Sequence, residues 1–243
     1  MELKERLDTL GLAWMAENID AALAEAASRK TPPEEALAKL LDGEIEARRT
    51  RSVQRRIRDS RVPSPKSLAD FDWAWPKRID KEQIMDVFRL GFLKEKGNVV
   101  FMGGVGLGKT HLMAALLIEA CHRNLPVLFT TAVEMINNLK AAAAANSLAK
   151  AIRKYAAPAI VGVDEIGFLP IDRQGADLFF QVVSARHERG PLVVSTNKAY
   201  KHWAATFAND ATLTSAILDR LTEKCATVVI EGTSYRMRNK TGK

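Results

Sequence analysis

The stretch that decides the fold runs from Asn98 to Met113 and reads NVVFMGGVGLGKTHLM. Its apolar start, Val99 to Phe101, is typical of a buried parallel strand. Gly103 to Thr110 then has the spacing G-x-x-x-x-G-K-T, and an apolar helix continues from Leu112. A strand, a glycine-rich loop and a helix in this order predict a phosphate-binding loop rather than an ordinary glycine turn.

The residue types in this loop suit a nucleotide. Its glycines allow successive backbone N–H groups to converge on phosphate oxygens at the positive end of a helix. Lys109 has the length to reach the β- and γ-phosphates, and the Thr110 hydroxyl is a ligand for Mg²⁺. The nucleotide-binding residues that we predict are Gly103, Gly104, Val105, Gly106, Leu107, Gly108, Lys109, Thr110 and His111.

Two later strands end in polar side chains. The apolar run from Ala159 ends in Asp164 and Glu165, and the run from Leu192 ends in Asn197. In a nucleotide hydrolase, the first acid of such a pair holds Mg²⁺ and the second polarises the attacking water. We therefore predict Thr110 and Asp164 as metal ligands, with Glu165 and Asn197 as catalytic residues.

Positive charge is concentrated in one window. The 243 residues carry a net charge of +7, and Arg48 to Lys66 contains eight basic residues against one acid, Asp59. This one-signed helix predicts contact with duplex DNA phosphates, although an acidic protein partner or a solvated face is compatible with the same charge. The predicted DNA-binding residues, which include a second group further along the chain, are Arg48, Arg49, Arg51, Arg55, Arg56, Arg58, Lys140, Lys150, Arg153 and Lys154.

A proline-rich turn divides the chain. Apolar residues from Leu3 to Leu23 recur at helical spacing. Thr31-Pro32 begins a further helix, which carries an apolar stripe from Ala36 to Ile45, becomes arginine-rich and ends at Val62-Pro-Ser-Pro65. We predict a small helical, basic, DNA- or partner-binding domain over residues 1–65 and a nucleotide-binding domain over residues 66–243.

The second domain alternates strands with helices, which predicts an α/β fold with a parallel sheet. It opens with Phe71, Trp73 and Trp75, an aromatic patch that we expect to pack on the domain. The remaining predictions are helices over 81–93 and 133–155, strands over 126–131 and 226–232, and a basic tail with Arg236, Arg238, Lys240 and Lys243.

The order of these features resembles the AAA+ ATPases, and most closely their DnaC/IstB group of helicase loaders and transposition helper proteins. The resemblance covers nearly the whole chain. It rests on Gly108-Lys-Thr-His-Leu112, Val127-Leu-Phe-Thr-Thr131, Asp164-Glu-Ile-Gly-Phe-Leu-Pro170, Ser195-Thr-Asn197, Ile217-Leu-Asp-Arg-Leu221 and Glu231-Gly-Thr-Ser-Tyr-Arg236, with Phe71-Asp-Trp73 as a similar aromatic entry. One departure is the loop, which lacks the proline that is frequent in this group.

The resemblance implies a function as well as a fold. It implies an AAA+ core with a five-stranded parallel sheet and no helical lid, and an ATPase that uses ATP and Mg²⁺. Arg220 would be an arginine finger that acts on a neighbouring subunit. An IstB-like protein would form a homo-oligomer with ATP on double-stranded DNA and assist an insertion-sequence transposase in target selection and activation.

Other functions remain open to different degrees. A DnaC-like replicative helicase loader has the same core and is the main alternative, and an ATP-gated DNA-binding filament is a third. A small-molecule kinase does not need the basic helical extension. A GTPase is excluded because it needs the sequence Asn-Lys-x-Asp to recognise guanine, and here Asn197-Lys198-Ala199 is followed by Tyr200. Two cysteines, no membrane-length apolar stretch and no signal-peptide character predict a cytoplasmic protein without a membrane partner.

Overall fold

A computed structural model describes residues 2–235 and Met237. The chain divides into two compact units between Arg55 and Arg56, earlier than the boundary that we predict after residue 65. The residues that follow this division already pack with the second unit: Ile57 and Val62 contact its core, and the Phe129 N–H donates to the Ser60 carbonyl at 2.7 Å. The predicted tail residues Arg236, Arg238, Lys240 and Lys243 lie outside the described residues.

The first unit is helical, as predicted. It contains α1 (Leu3–Thr9), α2 (Ala13–Arg29) and most of α3 (Pro33–Asp59), which begins one residue after the predicted start. Its small core is formed by Leu7, Met15, Ala16, Ile19 and Leu40. The predicted apolar stripe of α3 is only partly buried, because Leu37, Leu41 and Ile45 remain exposed.

The second unit is built on a five-stranded parallel sheet, which confirms the predicted α/β class. The strands are β1 (Asn98–Gly103), β2 (Val127–Thr131), β3 (Ile160–Ile166), β4 (Leu192–Thr196) and β5 (Cys225–Ile230). They are arranged in the order β2–β3–β4–β1–β5. Their apolar runs are continuous because both faces of the sheet are covered by helices.

Several helices of this unit begin at side-chain caps. Side chains of Thr131, Asp172 and Asp210 accept hydrogen bonds from the first turns of the helices that follow them. In chain order the helices are α4 (Lys81–Phe88), α5 (Phe92–Glu95), α6 (Lys109–His122), α7 (Ala132–Ala144), α8 (Leu148–Ala156), α9 (Arg173–Arg186) and α10 (Ala211–Thr222). Within the described residues, no α-helix follows β5.

Two predicted helices are each divided in the structure. The helix expected over 81–93 breaks at Leu90, and the one expected over 133–155 breaks at Asn146. Both residues have positive φ angles, 61° and 51°, which end a right-handed helix. Asparagine adopts this conformation more readily than most residues, whereas nothing about a leucine predicts it.

Candidate nucleotide-binding site

The predicted phosphate loop lies between the end of β1 and the start of α6. Gly106 and Gly108 have φ angles of 75° and 86°, a left-handed conformation that glycine adopts without steric cost. Gly108 directly precedes α6, whose first-turn N–H groups have no partners within the helix. The loop therefore has the backbone shape and the donors that a phosphate group requires.

Lys109 and Thr110 begin α6 and make different contacts. The Lys109 ammonium donates to the Gly104 carbonyl at 2.6 Å, so it lies across its own loop. The Thr110 hydroxyl donates to the Asp164 carboxylate at 2.9 Å. Asp164, two residues before the end of β3, is 4% exposed. The two predicted metal ligands are thus adjacent, although 54 residues separate them in sequence.

Ser195 on β4 is a residue of this site to which the sequence analysis assigns no role. Its hydroxyl donates to the Asp164 carboxylate and accepts a hydrogen bond from the Glu165 N–H at 2.9 Å. It is fully buried, and it lies opposite Phe101 of β1 in the sheet register. The available signal was the pair of hydroxyl residues, Ser195 and Thr196, at the end of an apolar strand.

Glu165 lies in an irregular part of β3. The pairing of β3 with β4 shifts between Val163 and Ile166, and Glu165 has a φ angle of 64°. Its side chain is exposed, whereas that of Asp164 is buried. A glutamate with a positive φ angle is uncommon in a strand, and this conformation strains the backbone. The strain lies at the bulge.

Asn197 follows β4 directly and is exposed. Since β1, β3 and β4 are parallel, their carboxyl ends lie at the same edge of the sheet. The phosphate loop, Asp164, Glu165 and Asn197 therefore share one edge of the sheet.

Arg220 lies at the opposite edge. Its backbone carbonyl accepts a hydrogen bond from the side chain of Asn98, the first residue of β1, at 3.2 Å. A six-residue strand, about 20 Å long, separates this point from the phosphate loop. The guanidinium stacks over the Phe180 ring at 4.9 Å and donates to the Ala216 carbonyl. This position puts Arg220 far from the loop of its own chain.

The chain segment that leads into β1 packs against the phosphate loop. The His111 ring is hydrogen-bonded to the Ser67 carbonyl at 2.9 Å and lies edge-on to Phe71. Phe71 is so close to Gly108 that a side chain added there would approach its ring to 2.6 Å. Phe71 and Trp73 are also in edge-to-face contact. The predicted aromatic patch is therefore one wall of the site, and it borders a cavity of about 410 Å³.

The predicted DNA-binding arginines of α3 fall into two groups. Arg48 and Arg51 bind the buried Glu44 at 3.0 and 2.9 Å, and Arg49 lies 3.5 Å from Glu46. These acids precede the window that we counted as one-signed, and the helix brings them within one or two turns of the arginines. The charge of this part of α3 is thus partly compensated.

The second group lies at the carboxyl end of the helix. Arg55 and Arg58 are exposed, and Arg58 has only a 3.7 Å contact with Asp59. Arg56 is half-buried in the nucleotide-binding unit, where its Nε makes no hydrogen bond within the described residues. Arg55 and Arg58 are therefore the α3 arginines best placed to contact an external phosphate.

The four basic residues on α7 and α8 also differ. Lys140 pairs with Asp172 at 2.7 Å, and this hydrogen bond lowers the pKa of the Asp172 carboxyl. Lys150, Arg153 and Lys154 are exposed on α8, and Lys154 also lies over the Tyr155 ring. No ion pair involves these three among the described residues, so α8 carries the more available positive charge.

These features define the class of the second unit as a P-loop nucleotide-binding domain of the AAA+ type. The DnaC helicase loader has the same fold, with a TM-score of 0.55 and 17% identity over 68% of this chain and 96% of that one. DnaA from Aquifex aeolicus bound to AMPPCP is similar with a TM-score of 0.57 and 17% identity, over 74% of this chain and 54% of that one.

The chain belongs to the family of IstB-like ATP binding proteins, which matches residues 5–242. It is 33% identical to a protein of Geobacillus stearothermophilus described as the ATP-binding protein of insertion sequence IS5376, over 98% of this chain and 96% of the relative. It is 32% identical to the corresponding protein of insertion sequence IS21 from Pseudomonas aeruginosa, over 98% and 90%. In the described part of the chain, no helix has the length and hydropathy of a membrane span.

Proposed function

We propose that this protein hydrolyses ATP at the edge of the sheet where the phosphate loop, Asp164 and Glu165 meet. The observation that supports this most directly is the hydrogen bond between Thr110 and Asp164, beside an exposed Glu165. The loop would bind the phosphates through its backbone N–H groups and Lys109. Glu165 would polarise the attacking water, and Asn197 would orient it.

The residues present also fit Mg²⁺. A hydroxyl and a carboxylate are hard oxygen ligands, and Mg²⁺ in nucleotide sites typically takes one or two protein ligands together with phosphate oxygens and waters. Thr110 and Asp164 would hold the ion, which supplies positive charge to the phosphates when it is bound. The Ser195 hydroxyl would keep the Asp164 carboxylate oriented.

At the level of the cell, we propose a regulator of DNA transposition in the cytoplasm. It would oligomerise with ATP on double-stranded DNA and assist the transposase of its insertion sequence in target selection and activation. The relatives from IS5376 and IS21, which are described as ATP-binding proteins of insertion sequences, support this proposal over a helicase-loading function. The resemblance to the DnaC loader is a likeness of fold, so helicase loading is the second candidate.

Two substitutions test the nucleotide chemistry separately. Lys109→Ala should lose ATP affinity, because the phosphates lose a positive charge. Glu165→Gln should retain ATP binding but lose turnover, because it removes the carboxylate that polarises water and leaves Asp164 intact. The measurements are equilibrium binding of ATP and steady-state phosphate release, with Glu82→Gln on α4 as a control for an exposed acid. Normal turnover in Glu165→Gln would contradict the assignment of the catalytic base.

Co-purification distinguishes the two cellular functions. A transposition regulator should bind the transposase of its own insertion sequence in the presence of ATP and DNA. Binding to a replicative helicase, and no binding to the transposase, would favour helicase loading instead.

A further inference from the structure

The guanidinium of Arg220 is held by two neutral groups. It lies over the Phe180 ring, 4.9 Å from the ring centroid, and it donates a hydrogen bond to the Ala216 carbonyl at 3.0 Å. Ala216 lies one turn earlier on α10, so the arginine side chain folds back along its own helix. Phe180 belongs to α9 and is half-buried, because it packs against the core of the second unit. Its ring is therefore a fixed surface for a side chain that otherwise has many rotamers.

No carboxylate pairs with Arg220 within the described residues. Glu223, three residues later, has the helical spacing for an ion pair, but its carboxylate lies 3.4 Å from the His187 ring. Asp219 directly precedes Arg220, and adjacent residues of a helix do not face each other. The positive charge of Arg220 is thus oriented but not neutralised.

This kind of support suits an arginine that acts on a phosphate outside its own chain. A carboxylate partner would compete with the phosphate for the same N–H donors. An aromatic ring instead attracts the cation through its face, and the carbonyl of Ala216 uses only one of the five N–H donors of the guanidinium. Fixing the side chain beforehand also reduces the entropy that is lost when it contacts the phosphate.

We infer that Phe180 is a positioning residue for Arg220, and that its ring holds the guanidinium in the orientation that contacts the nucleotide of a neighbouring subunit. The inference rests on the proposed function, since it assumes that ATP is hydrolysed and that Arg220 acts on the ATP of another copy. In this role Phe180 acts only through Arg220. Its loss should lower the rate of hydrolysis and leave ATP affinity unchanged, because each chain binds ATP with its own loop.

The test places the substitution on one side of the shared site at a time. Lys109→Ala chains, which supply Arg220, are mixed with Arg220→Ala chains, which bind ATP, and phosphate release is measured with duplex DNA and Mg²⁺ present. Adding Phe180→Leu to the Lys109→Ala chain should lower the restored turnover roughly 2- to 30-fold, the range of one cation–π contact. Adding it to the Arg220→Ala chain should have no effect, because that chain supplies no arginine.

Two further variants of the arginine-supplying chain separate the ring from the volume of the side chain. Phe180→Tyr keeps an aromatic face and should retain most of the restored turnover. Phe92→Leu replaces another half-buried ring, which packs with a different part of the core, and should have no effect. In the otherwise unmodified chain, Phe180→Leu should lower kcat for ATP, while equilibrium ATP binding stays as in the wild type.

The other results overturn the inference. An equal loss with Phe180→Leu on either side of the site would show that the ring only supports the fold. Unchanged turnover would show that Arg220 does not need the ring, and a gain would show that the ring holds the arginine away from the phosphate. No restored turnover in the mixture without Phe180→Leu would overturn it too, because Arg220 would then not act on a neighbouring copy. The proposed hydrolysis is judged on other chains: it fails if the wild type releases no phosphate or if Glu165→Gln keeps normal turnover.

Discussion

At the scale of single residues, Glu44 changes the interpretation of the arginine-rich helix. It is 2% exposed and accepts hydrogen bonds from the Met15 N–H and from Arg48 and Arg51. Burial alone would raise the pKa of the Glu44 carboxyl, but the hydrogen bonds from Met15 and Arg48 and the charge of Arg51 lower it overall. A buried carboxylate of this kind needs its partners, so two of the arginines have a structural role within the first unit.

Glu44 should therefore make the first unit sensitive to acid. A carboxyl whose pKa is lowered on folding stabilises the folded state above its ordinary value of 4.5, and this contribution is lost as the pH falls through the folded-state pKa. Glu44→Gln should destabilise α2 and α3 at neutral pH by about 1.5–3 kcal/mol, the range for hydrogen bonds to charged groups. Below pH 4.5 the difference between the variant and the wild type should shrink.

The measurement is hydrogen-exchange protection of residues 13–29 at neutral pH and below pH 4.5. Glu46→Gln is the matched control, because Glu46 lies on the same helix but is exposed and has only a 3.5 Å contact with Arg49. A difference that is equal at both pH values would show that the charge of Glu44 is not responsible.

At the same scale, the sequence predicts the pair of Thr110 and Asp164 but not its surroundings. The glycine loop and the acidic end of a strand are local patterns that identify Thr110 and Asp164 as parts of one site, although their contact depends on the order of the strands. Ser195 reaches the same carboxylate only through the register of β4 against its neighbours, and the bulge at Glu165 depends on that register as well. Such contacts are set by strand pairing, which no single stretch of sequence specifies.

At the scale of elements, α3 is a long helix with two kinds of arginine. Near Glu44 they are paired within the protein, and at the carboxyl end Arg55 and Arg58 are exposed. The sequence predicts the helix and its charge but not this difference, because the count of charges within a window omits acids that lie just outside it. The proposed duplex contact therefore belongs to the end of α3 together with α8.

The salt dependence of DNA binding should distinguish these positions. Each phosphate contact contributes about 0.9 to the slope of log affinity against log salt concentration. The double variant Arg55→Ala, Arg58→Ala should thus lower the slope by about 1.8 per protomer if both arginines contact phosphate. The measurement is a salt titration of duplex binding with ATP present, on several unrelated sequences.

The control removes the same charge elsewhere. Arg89→Ala combined with Lys94→Ala changes two exposed basic residues outside the proposed DNA surface. If both double variants have the wild-type slope, α3 is a protein-docking helix, and helicase loading becomes the stronger candidate.

At the scale of the whole molecule, the two edges of the sheet have different parts of the proposed reaction. The phosphate loop lies with Asp164 and Glu165 at the edge formed by the carboxyl ends of the strands. Arg220 lies at the edge formed by their amino ends, about one strand length away. The sequence predicts both the phosphate-loop residues and Arg220. Their separation is shown only by the strand order β2–β3–β4–β1–β5 and by the hydrogen bond between Asn98 and the Arg220 carbonyl. An arginine at that distance can act on ATP only if the ATP is held by another copy of the chain.

Mixing two inactive variants should therefore restore turnover. The Lys109→Ala variant keeps Arg220 but loses its own nucleotide site. The Arg220→Ala variant keeps its nucleotide site but lacks the arginine. Arginine fingers contribute about 10³–10⁵ in rate, so even a fraction of rebuilt sites should raise phosphate release above the sum of the two variants. The matched control mixes Arg220→Ala with the double variant Lys109→Ala, Arg220→Ala, which cannot supply the arginine. No gain over this control would mean that the site is not shared.

The hydrogen bond from Phe129 to the Ser60 carbonyl has a practical consequence for handling the protein. β2 is an edge strand of the sheet, and unpaired edge strands are sites where one chain aggregates with another. Ser60, the residue that follows α3, occupies this position and accepts the Phe129 N–H through its backbone carbonyl. A fragment that starts at residue 66, where sequence patterns alone suggest a boundary, would leave the edge uncovered and prone to aggregate. A soluble nucleotide-binding fragment has to begin before Ser60.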